Sequence, residues 1–219
     1  MQRRIFVTGG TGYIGRALIP LLLHRGHQVA ALVRQGSGTK VKPGCEIVTG
    51  NALDADSYKE RLGGYDTFIH LAGVPHPSPA KAREFVEVDL RSAQGAIRVA
   101  ANAGIQHFIY LSVAQPAPVM KAYVDVRAAC EASLRASGLN ATIVRPWYVL
   151  GPGHRWPVIL EPLYRGAAFI PLLREGATRL GLVTLDQMVL TLAAATEDIA
   201  TGVRVFEVPD IRRLGAATV

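Results

Sequence analysis

The run Arg4-Ile-Phe-Val-Thr-Gly-Gly-Thr-Gly-Tyr-Ile-Gly-Arg-Ala-Leu18 constrains this chain more than any other stretch. Ile5, Phe6 and Val7 make a short apolar run of strand character that stops at a cluster of glycines. A helical apolar pattern then runs from Tyr13 to Leu23. Strand, glycine-rich turn and helix in that order form an anion cradle. Gly9 allows the tight turn off the strand, Gly12 lets the backbone approach a pyrophosphate, and Gly15 lets the helix pack closely on the strand. Phosphates then lie over the unpaired N–H groups of the helix N-terminus, where the dipole favours negative charge. A plain turn in an α/β protein is the other reading of these glycines. The second strand that follows at the expected distance favours the dinucleotide reading.

The rest of the chain alternates strand and helix. The first helix ends near Arg25-Gly26, and His27-Gln-Val-Ala-Ala-Leu-Val33 is an apolar run of strand length. Glu46 to Val48 reads as a third strand, and Asp54 to Leu62 as a helix with Asp54 as its N-cap. Asp66 to Leu71 is a fourth strand, and a long helix runs from Pro79 or Ala80 to about Asn102, ended by Gly104. His107 to Leu111 is a fifth strand, Val119 to Ala136 a helix stopped by Gly138, and Asn140 to Arg145 a sixth strand. Continuous apolar strands between helices predict an α/β fold with a parallel sheet covered on both faces. After Gly151-Pro-Gly153 the rhythm changes. Trp156 to Arg165 is a candidate helix, Leu180 to Thr184 a strand, Asp186 to Glu197 a helix, and Val203 to Val208 a last strand. The expected organisation is a dinucleotide-binding core over 1–153 with a small segment, 154–219, packed on it as lid and edge within one structural domain.

Composition narrows the classes. Of 219 residues, 49% are hydrophobic and 19% charged, which is globular and not disordered. No apolar run reaches the roughly 18 residues of a membrane span. The first strand starts within four residues of Met1, leaving no room for a signal peptide. Cys45 and Cys130 have no metal-like spacing and read as reduced thiols, so the expectation is a cytoplasmic protein. The net charge of +7 comes from Lys and Arg residues scattered singly, with no basic run. That argues against nucleic acid and assigns part of the excess to an anionic cofactor or substrate.

Thr8-Gly-Gly-Thr-Gly-Tyr-Ile-Gly15, His70-Leu-Ala-Gly73, Tyr110-Leu-Ser112, Tyr123 with Arg127, and Arg145-Pro-Trp-Tyr-Val-Leu-Gly-Pro-Gly153 occur in that order. Together they resemble the short-chain dehydrogenase/reductase superfamily, in its extended and atypical branches of NAD(P)-dependent epimerase/dehydratase-like and NmrA-like proteins. The resemblance covers roughly residues 3–153 and implies a Rossmann-type doubly wound parallel sheet. It implies that Gly9, Thr11, Gly12, Tyr13, Ile14 and Gly15 contact the pyrophosphate. The end of the second strand normally selects the coenzyme, and an acidic residue there repels a 2′-phosphate. Here the position reads Val33-Arg34-Gln35 with Lys40 nearby, so NADP is expected over NAD. Asn51, Ala52 and Leu53 stand where the family holds the adenine, and Asn51 replaces the usual Asp but keeps an acceptor. Leu71, Ala72 and Gly73 would line the adenine ribose and pyrophosphate, and Pro146, Trp147, Tyr148 and Val149 the nicotinamide.

In active members a Tyr and a Lys four residues later share one helix face. The Tyr moves a proton at the substrate oxygen, and the Lys lowers its pKa and holds the ribose. Here Tyr123 is followed by Arg127, which keeps the charge but cannot relay a proton. Ser112 is the candidate for the third, hydroxyl-bearing position, although it falls one residue early and Val113 stands in the usual place. The alternative for Tyr123 and Arg127 is a surface stripe, with Arg127 paired to Glu131 at i+4.

The six histidines have no metal-ligand spacing, and no metal is expected. His70 reads as a strand-end residue, and His76, His154 and Trp156 fall in loops over the nicotinamide. Glu161 and Asp186 lack a partner carboxylate. Two readings follow: an NADP-dependent oxidoreductase acting on a small carbonyl or alcohol, or an NAD(P)H-binding redox sensor of NmrA type without turnover. A truncated sugar-nucleotide epimerase or dehydratase is a third, disfavoured by the short C-terminal part. The substrate is not indicated, and monomer and homodimer are both open.

Overall fold

The computed structural model describes residues 1–152 and 179–216. Its nine strands are β1 (Arg4–Thr8), β2 (Gln28–Val33), β3 (Glu46–Thr49), β4 (Thr67–His70), β5 (His107–Leu111), β6 (Ala141–Val144), β7 (Tyr148–Leu150), β8 (Leu182–Thr184) and β9 (Val203–Phe206). Seven form one sheet in the order β3-β2-β1-β4-β5-β6-β9, with every pair parallel. The chain winds outwards from β1 to β3 and returns to place β4 beside β1, with Val7 opposite both Ala31 and Ile69. That reversal opens a crevice at the carboxyl ends of β1 and β4. The expected Rossmann-type sheet is the one observed.

Alternation along each strand sends different side chains to the two faces. One face is aromatic: Phe6, Phe68 and Phe108 lie side by side, with ring centroids 5.3 and 5.1 Å apart across adjacent strands. It is covered by α3 (Arg91–Asn102) and α4 (Lys121–Ala136) through Ala93, Ala96, Cys130 and Leu134. The other face is aliphatic, built on Ile5, Val7, Ile69 and Ile109. It is covered by α1 (Tyr13–His24) and α5 (Leu185–Glu197) through Leu18, Leu22, Met188 and Leu192.

The described part of the C-terminal segment belongs to the main sheet and its core. Strand β9 extends the main sheet beside β6, and α5 packs against α1 over the aliphatic face. Thr184 starts α5 with a capping box: its Oγ1 accepts from the Gln187 N–H at 3.1 Å, and Gln187 Oε1 accepts from the Thr184 N–H at 2.9 Å. The last described helix, α6 (Val208–Ala216), follows β9 and was not foreseen. The small parallel pair β7–β8 was not foreseen either. The candidate helix from Trp156 to Arg165 lies outside the described residues, as do Gly153, His154 and Glu161.

Two local expectations need correction. Asp54 to Leu62 is not an α-helix but two 3-10 turns, Ala55–Ser57 and Lys59–Arg61, and the Asp54 side chain caps nothing. Local side chains take the backbone bonds a helix would need. Leu53 N–H donates to Asn51 Oδ1, Asn51 N–H to Ser57 Oγ, and Ser57 Oγ to the Asp54 carbonyl. The long helix before Gly104 is not uniform: α2 (Ala82–Glu84) passes into a π-helical stretch, Phe85–Leu90, before α3 begins. No helix among the described residues is long and apolar enough to cross a membrane.

Since α5 shares a buried layer with α1, the two should unfold together. Leu192→Ala is expected to cost about 2–5 kcal/mol and to lower the single urea transition seen by circular dichroism. A separate early transition confined to the C-terminal segment would contradict the shared core.

Candidate active site

The glycine-rich turn leaves β1 at its carboxyl end. Gly9 has φ +75°, and a β-carbon there would come within 2.6 Å of the Leu71 carbonyl carbon and 2.7 Å of the Ala72 nitrogen. A β-carbon on Gly15 would stand 2.5 Å from the Gly9 carbonyl oxygen, so α1 meets the turn only through glycine. Gly12 N–H donates to the Gly9 carbonyl at 2.9 Å, and Gly12 sits at the N-cap of α1 in an extended conformation. No side chain caps this helix and no acidic residue occupies its first turn. The N-terminal N–H groups around Gly12, Tyr13 and Ile14 are thus left for an anion, with Thr11 on the approach. This geometry fits a dinucleotide pyrophosphate.

Tyr13 turns its hydroxyl onto Gly151 just past β7, where a β-carbon would overlap it and would also lie 3.1 Å from Leu185 Cβ of α5. Burial and the nearby Asp186 carboxylate both push the Tyr13 phenol above its ordinary pKa. The first turn of the cradle helix is in this way packed against the C-terminal segment.

Arg34 stands exposed just past β2, and Lys40 ends the 3-10 turn Gly38–Lys40 that follows. Arg34 makes no ion pair among the described residues. Asn51, Ala52 and Leu53 follow β3, and the Asn51 oxygen already accepts the Leu53 N–H at 3.0 Å, leaving its second lone pair. Leu71 and Ala72 leave β4 directly against Gly9, and Gly73 follows against Arg127 and Asp89. Pro146 is buried and its carbonyl accepts the Ala114 N–H at 2.9 Å. Trp147, Tyr148 and Val149 beyond it are half-buried, with the two aromatic rings in edge contact at 5.6 Å.

Tyr123 and Arg127 are not a surface stripe. Tyr123 is half-buried against Phe85, and Arg127 is only 5% exposed. The Arg127 guanidinium lies 5.0 Å from the centre of the Tyr123 ring and 5.7 Å from that of Tyr110. Its Nη1 donates to the Leu111 carbonyl at 2.6 Å and to the Tyr110 hydroxyl at 3.3 Å, and its Nη2 to Asp89 Oδ1 at 2.5 Å. A β-carbon on Gly73 would fall 2.6 Å from Nη2, so the loop over the cradle rests on the same guanidinium. Burial pushes the Tyr123 phenol up, and the Arg127 charge opposes that rise.

The alternative i+4 pair of Arg127 with Glu131 does not form, and two separate centres stand in its place. Glu131, itself buried, receives Arg145 through both oxygens, at 2.9 Å from Nε and 2.5 Å from Nη2. Ser112 belongs to this second centre: its hydroxyl donates to Glu131 Oε1 at 2.6 Å. Gln115 donates to the same oxygen, and Arg145 reaches on to Glu207 at 2.8 Å. Ser112 is therefore committed to a structural acceptor and is not joined to Tyr123, while Val113, in the usual hydroxyl position, carries no such group.

Asp89 was not singled out from sequence, although a signal exists. Phe85, Asp89, Ala93 and Ala96 recur at helical spacing and all are buried, so Asp89 puts a carboxylate on an apolar stripe. His70 ends β4 wholly buried, hydrogen-bonded to Thr8 Oγ1 at 2.9 Å and to Ser92 Oγ at 3.4 Å. Burial, reinforced by the Arg127 charge, lowers its pKa to about 3, so it is neutral at ordinary pH. His76, in the loop beyond β4, is exposed with φ +50°. No cluster of potential metal ligands occurs among the described residues.

Comparison with known proteins agrees with this geometry. Residues 9–158 match the family model described as NAD(P)H-binding. A ceramide reductase of Caulobacter vibrioides is 29% identical over 219 residues, covering 96% of this chain and 66% of the relative. A 3 beta-hydroxysteroid dehydrogenase/Delta 5-->4-isomerase of Mycobacterium tuberculosis is 32% identical over 116 residues, covering 50% of this chain and 31% of the relative. This chain thus spans less than two thirds of the length of either relative. In fold it is similar to the Bordetella bronchiseptica enzyme WbmH in complex with NAD+, with a TM-score of 0.72 at 20% identity over 99% of this chain and 80% of that one. The chain belongs to the NAD(P)H-binding family.

The buried histidines give the fold a pH signature. His70, with its pKa lowered to about 3, and His107, lowered to about 4 by burial and the Arg204 charge, bind protons in the unfolded chain before the folded one. Their contribution is complete above the unfolded value of about 6.5 and is lost as pH falls below it. Stability should decline from pH 6.5 towards 4.5 by up to about 1.4 kcal/mol per pH unit for each histidine. Urea midpoints measured across that range check this, and His70→Gln should show a shallower decline; equal slopes would show that His70 titrates freely.

Proposed function

We propose that this member of the NAD(P)H-binding family is an NADP-dependent reductase that transfers hydride to a carbonyl group on a largely apolar substrate. One observation carries the reading: an unbroken line of contacts runs from the anion cradle to a phenol. Gly9 touches Leu71 and Ala72, Gly73 rests on Arg127, and Arg127 faces the Tyr123 ring. A coenzyme whose pyrophosphate lies on Gly9 to Gly15 would be carried along that line towards Tyr123.

The bound coenzyme supplies the hydride. Tyr123 supplies the proton: its O–H donates to the carbonyl oxygen as negative charge develops there, and the Arg127 cation steadies the phenolate left behind. A phenol keeps its proton at ordinary pH and so has one to donate. Arg127 stays charged throughout and passes no proton. An apolar substrate is supported by the residues that follow β5, Val113 and Ala114, and by half-buried Trp147 beyond β6, none of which carries a charge. The ceramide reductase and the hydroxysteroid dehydrogenase are both named for lipid substrates, which supports an apolar body here. Arg34 and Lys40 beyond β2 support NADP, since a guanidinium fork matches a 2′-phosphate.

The commitment of Ser112 to Glu131 favours a second reading, NAD(P)H binding without turnover. NADPH oxidation against long-chain aldehydes, ketones and sterol ketones separates the two. Tyr123→Phe is expected to lower kcat by about 100-fold or more with NADPH affinity nearly unchanged. An unaffected kcat would remove Tyr123 from the chemistry, and no turnover with any substrate despite tight NADPH binding would favour the second reading. Arg34→Ala should weaken NADPH by about tenfold in calorimetry and leave NADH within about twofold. Equal loss of both would overturn the coenzyme preference.

A further inference from the structure

We propose that Asp89 is a positioning residue of this site: from the π-helical turn it fixes the Arg127 guanidinium against the Tyr123 ring, and the carboxylate–guanidinium pair works as a unit in which lysine cannot replace arginine. The inference rests on the reading of Tyr123 as the proton donor.

Asp89 and Arg127 come from different helices and meet in the interior, with side chains 0% and 6% exposed. Each Asp89 oxygen has its own partner: Oδ1 accepts from Arg127 Nη2, and Oδ2 accepts the Val74 N–H at 3.1 Å. Arg127 in turn spans three directions, with Nη2 on Asp89, Nη1 on the Leu111 carbonyl and the Tyr110 hydroxyl, and its plane beside the Tyr123 ring. The pair therefore joins the loop after β4, the end of β5, the π-helical turn and α4 at one point. A buried charge left without its partner is strongly unfavourable, so neither group can leave this arrangement alone.

The geometry depends on a fork. The two terminal nitrogens of arginine point to opposite sides, one to the carboxylate and one to the strand end, while the planar group stays beside the phenol. A lysine ammonium is a compact point charge on a stem that ends sooner. Drawn to Asp89, it would leave the Leu111 carbonyl and move off the Tyr123 ring. Arg127 is thus not a lysine position filled imprecisely but one half of a matched pair. Gly73 completes the fit, because a β-carbon there would lie 2.6 Å from Nη2 and 2.8 Å from Asp89 Oδ1.

The charges around Tyr123 make the pairing measurable. Arg127 and Cys130 face it from α4, Asp89 from the π-helical turn, and Tyr110 borders the same guanidinium from β5. Lys81, on the 3-10 turn packed against α4, is turned to the Pro75 carbonyl at 2.7 Å. Asp89 offsets the cation beside the phenol, so removing the carboxylate charge leaves Arg127 to favour the phenolate.

The test is a pH titration of ligand-free protein by NMR with tyrosine labelled at Cζ, the Tyr123 resonance being assigned from Tyr123→Phe. Asn at 89 keeps an oxygen that can accept from Arg127 Nη2, so in Asp89→Asn the guanidinium stays while the offsetting charge is lost, and the Tyr123 midpoint should fall by about one pH unit; an unchanged or raised midpoint overturns the proposal. Arg127→Lys keeps the formal charges and remains informative if Asp89→Asn does not fold. There the Tyr123 midpoint should rise as the cation leaves the ring, and a midpoint equal to that of the native protein overturns the proposal. Neither measurement needs turnover. A native protein that turns over no substrate refutes the reductase reading alone, whereas unmoved midpoints in an active enzyme refute the pairing alone.

Discussion

A β-carbon on Gly15 would stand 2.5 Å from the carbonyl oxygen of Gly9, and that close approach governs the geometry of the whole crevice. It lets α1 begin directly on the turn that leaves β1, so that the uncapped N–H groups of the helix face the carboxyl edge of the sheet. The same turn brings Gly9 against the first residues beyond β4. Leu71 and Ala72 press on Gly9, and Gly73 presses on Arg127. Each contact holds because one partner lacks a side chain, and the sequence of contacts ends at the phenol of Tyr123. A cradle for phosphate and a candidate proton donor are joined by one line of contacts, backbone from Gly9 to Gly73 and side chain from Arg127 to Tyr123.

Behind that layer, α4 carries two buried charges of opposite sign on successive turns. Arg127 is paired to Asp89 from the π-helical turn, and Glu131 to Arg145 from the end of β6. Such pairs add little net stability, since desolvation consumes most of their attraction. Their effect lies in register. Sliding α4 by one turn would bring Glu131 towards Asp89 and take both cations from their acceptors, so this arrangement excludes its neighbours. Glu131 also gathers Ser112 and Gln115, and Arg145 reaches Glu207 beyond β9. The strand ends that frame the site, and the C-terminal edge of the sheet, are held by the same helix.

Much of this was legible in the chain. The six strands of the core and the glycine turn follow from apolar runs and their punctuation, because strands buried on both faces carry a continuous signal. The Thr184-Leu-Asp-Gln187 start of α5 is equally readable, because its bonds are local. Where the reading failed, a local competitor or a distant partner intervened. Asp54 looked like a helix cap, but Asn51 and Ser57 take up the backbone groups first. Ser112 looked like a catalytic hydroxyl, but a glutamate 19 residues away accepts its hydrogen bond. Arg127 looked equally suited to a surface ladder, because spacing along a helix reports which residues share a face and not what that face meets.

Taken alone, the sequence determined the succession of strands and helices and the anion cradle, which rest on local patterning or on the absence of a β-carbon, and the continuous apolar strand runs indicated a parallel sheet. Tertiary structure alone decided which buried charges are partners. Asp89 and Arg127 are 38 residues apart, and nothing in either helix by itself indicates that they meet. A charge on an apolar stripe announces that a partner exists; the crossing of two helices over the aromatic face of the sheet decides which one it is. The reason is the cost of desolvation: a buried charge tolerates only a close partner, and closeness is a property of the packed molecule.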